Sequence, residues 1–67
     1  MTENDIQYLD KLESDARNGR FARTAIVHCR TLEVADCASG RISQYGYKCT
    51  IRPSLDKDCP FVVFVCR

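Results

Sequence analysis

A chain of 67 residues, 45% hydrophobic and 28% charged, has the size of one domain, with room for a core but not for a core and a deep substrate cavity together. A formal charge of +1 falls below what recognition of a phosphate backbone usually recruits. No run approaches the ~20 apolar residues of a membrane span, so no membrane partner is expected.

Residues 3–18 read as a helix. Thr2 caps its first turn, with Asp5 three positions on as an imperfect capping box, and Glu3 and Asp5 complement the helix dipole. Ile6, Leu9, Leu12 and Ala16 recur at helical spacing, and Asn18-Gly19 supplies a stop. Residues 1–16 carry five acidic side chains against Lys11 alone, a net of −4, so the cations concentrate downstream. This acidic start has no basic segment followed by an apolar one. It reads as no signal peptide, and with Met1 in place a cytoplasmic location is expected.

After Gly19 the period changes from 3.6 to 2. Residues 24–35 form a β-rich run in which Ala25, Val27, Cys29 and Thr31 share one face. A turn is expected over 36–40, with the reversal at Ser39-Gly40. Residues 41–52 read as a second strand with Tyr45, Tyr47, Cys49 and Ile51 on its core face, and Gly46 marks a bulge or a close backbone contact. Pro53 to Pro60 is a polar connection. The last strand, 61–66, is FVVFVC, apolar on both faces. The fold class expected is α+β: an N-terminal helix packed on a three-stranded antiparallel sheet, in the order helix, strand, strand, strand.

Five cysteines, at 29, 37, 49, 59 and 66, make the chain cysteine-rich without a short-spaced pair, and His28 is the only histidine. Structural zinc usually takes its ligands from paired knuckles, so no metal and no cofactor are expected. Cys29, Cys49 and Cys66 occupy strand positions that Val or Ala could fill, as buried thiols often do. Cys37 and Cys59 lie nearer loops and are the candidates for a disulfide or for reactivity, although Asp36 and Asp58 beside them oppose thiolate formation. His28 and Cys29, adjacent on a strand, face opposite ways and form no dyad. No Gly-rich phosphate loop occurs. No catalytic residue is assigned, and no enzyme is expected.

The functional expectation is a non-enzymatic interaction module or small regulatory protein that docks on a macromolecule. One helix covers one sheet face, so either Phe61, Val63 and Val65 or else Val62, Phe64 and Cys66 need another cover; the first set is assigned to the interaction surface. Arg20, Arg23, Arg30 and Arg52 are its cationic candidates. A protein partner is expected, with a homodimer as one form of it. The alternatives are a nucleic-acid-binding protein using a basic sheet or junction surface, and a disulfide-stapled secreted domain.

Overall fold

A computed structural model describes all 67 residues. The fold is α+β, with an N-terminal helix and a three-stranded antiparallel sheet, and it contains a second helix that the periodicity did not disclose. The elements are α1 (Glu3–Arg17), β1 (Thr24–Cys29), α2 (Leu32–Ser43), β2 (Lys48–Pro53) and β3 (Phe61–Cys66).

Helix α1 begins as its sequence dictates. The Thr2 hydroxyl accepts from the Asp5 backbone N–H, and the Asp5 carboxylate accepts from the Thr2 N–H, a complete capping box. Leu9, Leu12 and Ala16 are buried. Just beyond the helix, Gly19 takes a φ of +66°, the left-handed conformation that ends helices and that favours glycine.

Strand β1 is half the expected length because Thr31 leaves the strand to cap α2, accepting from the Val34 N–H at 3.2 Å. Val34, Ala35, Ala38 and Ile42 then recur three to four residues apart and bury one stripe. The turn expected at Ser39-Gly40 is therefore helix interior, and the first part of the expected second strand belongs to α2. A Cβ placed on Gly40 meets nothing within 4 Å. Gly40→Ala should therefore raise stability by about 1 kcal/mol, through helix propensity alone. For a domain of this size that is a rise of roughly 4–8 °C in Tm, measurable by thermal circular dichroism.

Gly46 lies in the turn between α2 and β2, at φ +92°, and not within a strand. Strand order is β1-β3-β2, and both pairings are antiparallel. Strands β1 and β2 thus run parallel, joined by the α2 crossover, with β3 inserted between them as a split β-α-β unit. Strands β1 and β2 do not pair with each other, so no hairpin closes at the reversal expected at Ser39-Gly40. Cys29 lies opposite Phe61 and Cys49 opposite Val65, so the two thiols do not face each other.

Helix α2 lies against one face of the sheet, and α1 packs beside α2 on that side. Leu9, Leu12 and Ala16 of α1, the buried stripe of α2, Val27 and Cys29 of β1, and Val63 and Val65 of β3 form one core, with Cys49, Ile51 and Phe61 packed partly buried against it. Arg41 of α2 ties the helices together at the surface, 2.9 Å from Asp10 and 3.7 Å from Glu13 of α1. At the far end Tyr47 stacks edge-on with Phe21, and the Arg67 guanidinium sits 5.4 Å from its ring centroid.

Candidate functional site: the uncovered sheet face

Alternation along the strands divides their side chains into two sets. The inner set fills the core. The outer set forms three rows across the sheet in the order β1, β3, β2: Thr24, Cys66 and Lys48; Ile26, Phe64 and Thr50; His28, Val62 and Arg52. No helix covers this face. Ile26 is 55% exposed and Phe64 43% exposed, side by side in the central row. Val62 is only 7% exposed although it belongs to the same face. His28 and Arg52 stand on either side of it in the register.

The charge on this face has one sign. The three strands contain no Asp or Glu, and their only formal charges, Lys48 and Arg52, both belong to the outer set. Neither has a carboxylate oxygen within 4.0 Å, whereas Arg20 and Arg41 do. The outer face is thus an apolar strip on β1 and β3 beside a cationic margin on β2.

The residues assigned to the interaction surface separate on this geometry. Val63 and Val65 are 0% and 1% exposed, within the core, and Phe61 is half-buried against it. The pleat and the two helices on the inner side account for this, and the apolar surface that needs cover is the opposite set, with Phe64 and Ile26 at its centre. Arg52 is on that face. Arg20 lies 3.9 Å from Asp15 in the α1–β1 connection. Arg23 and Arg30 flank β1 and are exposed. Ile26 was not singled out from the sequence. Its signal is its place in the alternating run TAIVHC opposite the buried Val27 and Cys29.

All five cysteines are free thiols. Cys37 lies within α2, packed partly buried against the core, and not in a turn. Cys59 lies at the end of the β2–β3 loop, its N–H directed at the Asp56 carboxylate. Its electrostatic neighbour is Cys29: burial first, and the Cys59 charge second, push the Cys29 thiol up from 9.0 to about 11. Burial likewise raises Cys49, with the Ser39 hydroxyl opposing it.

Tyr8 is raised by burial and then by the charges of Cys29 and Cys59. These shifts carry a sign. Each group stays protonated in the folded chain at pH values where the unfolded chain has ionised, so the unfolded state binds fewer protons and stability falls as pH rises. The loss should begin near pH 9 and continue through pH 11, seen as a falling urea midpoint. Cys29→Ala, less stable at pH 8 from the lost packing, should show a shallower decline.

One further concavity, about 330 Å³, lies between the start of α1, the end of β1 and Cys59, lined by Asn4, Asp5, Tyr8, His28, Arg30, Val34 and Cys59. The fold consumes two of its polar groups. Asp5 closes the capping box, and the Tyr8 hydroxyl donates to the His28 carbonyl at 2.9 Å. No group of three or more His, Cys, Asp or Glu side chains is gathered where it could hold a metal ion. No helix is long and apolar enough to cross a membrane. Compared with known proteins, the chain matches no family model, no curated protein and no solved structure.

Proposed function

We propose that this chain is a non-enzymatic interaction module that docks on a protein partner through the outer face of its sheet. The observation that carries the reading is the pair Ile26 and Phe64, exposed together at the centre of a sheet face that no element of the chain covers. Two large apolar side chains exposed side by side on neighbouring strands favour an association site over scattered exposure.

Photocrosslinking tests the reading in the cells that make the protein. Benzoylphenylalanine at position 64 should give a discrete protease-sensitive adduct, and the same group at Lys11, on the exposed side of α1, should not. An adduct of twice the chain mass identifies a homodimer as the form of the docking. A nuclease-sensitive adduct replaces the protein partner by a nucleic acid. Equal yields from positions 64 and 11 sink the docking face altogether.

A further inference from the structure

The outer face specifies more than apolarity, and its charge layout indicates the chemistry of what lies on it. Resting on the docking reading above, we propose that its occupant is an acidic amphipathic helix of a partner protein, laid along the strands with its apolar side over Ile26 and Phe64 and its carboxylates along the β2 margin. Three features of the face lead there.

The first is sign. Lys48 and Arg52 face outward without a carboxylate partner, and the strands supply no acid to offset them. A basic partner would meet like charge, which costs specificity and encounter rate. The second is segregation. The cations lie on the edge strand β2, and the exposed apolar pair, Ile26 and Phe64, lies beside it on β1 and β3, so a complementary surface presents an apolar side to one margin and an acidic side to the other. An amphipathic helix has that layout. The third is size. Three strands span about 14 Å including their margins, and a six-residue strand runs about 20 Å. A helix is ~10–12 Å across, and about 14 residues of it are ~21 Å long.

A second copy fits the charge less well. Two such faces packed together would bring four unneutralised cations and no acid into one interface. Single-stranded nucleic acid is favoured less, because Phe64 and His28 lie in different rows on different strands of the face and no Tyr or Trp joins them, where strand binding relies on successive stacking platforms.

Titration of the isotope-labelled chain, followed by amide chemical shifts, tests this with four defined probes. Three are 18-residue helix-forming peptides with the same Leu and Phe stripe, bearing Glu, Gln or Lys along one margin; the fourth is a thymidine 12-mer. The Glu peptide should bind with shifts centred on Ile26, Thr50, Arg52 and Phe64, about 10-fold more tightly than the Gln peptide at low salt. Reversing the margin with Lys48→Glu and Arg52→Glu, both exposed, should transfer the preference to the Lys peptide while circular dichroism stays unchanged. Equal binding of Glu and Gln peptides on this face overturns the acidic partner and leaves the docking reading standing. Tighter binding of the thymidine 12-mer than of the Glu peptide overturns it in favour of a polynucleotide. If no peptide shifts an outer-face amide, the helix proposal fails; if position 64 also gives no preferential photoadduct, the docking reading fails with it.

Discussion

Val63→Asp should leave the chain unfolded at room temperature, while Phe64→Asp, one residue further along the same strand, should leave it folded. Val63 is fully buried at the centre of β3, opposite Val27 on one side and Ile51 on the other. The inner set contains no cation to pair with a carboxylate there, and burying an unpaired charge costs several kcal/mol even after relaxation. Total stability for a domain of this length is about 3–10 kcal/mol, so the substitution consumes most or all of it. Phe64 projects the other way and is 43% exposed. An aspartate there sheds some cross-strand packing with Ile26 and some strand propensity, about 1 kcal/mol in all. Far-ultraviolet circular dichroism and amide dispersion separate the outcomes. A folded Val63→Asp protein would mean that the sheet presents its other face to the helices.

Ile42→Ala should lower stability by about 2–5 kcal/mol, the cost of truncating a buried β-branched side chain and leaving a cavity. Ile42 is fully buried in the last turn of α2, within the core that α2 shares with α1 and the sheet. For this chain length the loss lowers Tm by 10 °C or more, visible in thermal or urea unfolding. The same residue discriminates between two readings of the chain. On an exposed strand face the truncation would cost well under 1 kcal/mol, so a small effect would contradict the second helix.

That helix is also where sequence reasoning ran out, for a physical reason. From Thr24 to Cys29 the chain alternates in period 2, and Thr31 and Val34 extend a β-branched look beyond the strand's real end. The helical stripe that follows is built from Val34, Ala35, Ala38 and Ile42, and two of its four members are alanines, too small to stand out in a hydropathy pattern. Gly40 in its interior then imitates a turn. By contrast, α1 was legible because Leu9 and Leu12 are large and Thr2 and Asp5 form a recognisable start. Strand β3 was legible in extent because six apolar residues are bounded by Pro60. Its orientation was not legible: with both faces apolar, nothing local distinguishes Val63 from Phe64. The decision is made non-locally by the position of α2, so the docking face could only be narrowed to two candidate sets. The core placement of Cys49 and Ile51 was readable, because Lys48, Thr50 and Arg52 alternate with them as polar neighbours.

The placement of β3 between two parallel strands also favours one order of assembly. Strand β1 has no hydrogen-bonded neighbour other than β3, and neither has β2. Of the two pairings, β2 with β3 spans only the short connection 54–60, whereas β1 must cross the whole length of α2 to reach the same strand. Closing the shorter loop sacrifices less chain entropy. The β2–β3 hairpin is accordingly expected to form first and β1 to dock on it afterwards. Pulsed hydrogen exchange during refolding should protect β2 amides before those of β1. Until β1 docks, one edge of β3 stays open, a vacancy one strand wide that β1 of the same molecule or of a neighbour can fill. Concentrated refolding should accordingly yield strand-exchanged dimers that dilute refolding does not.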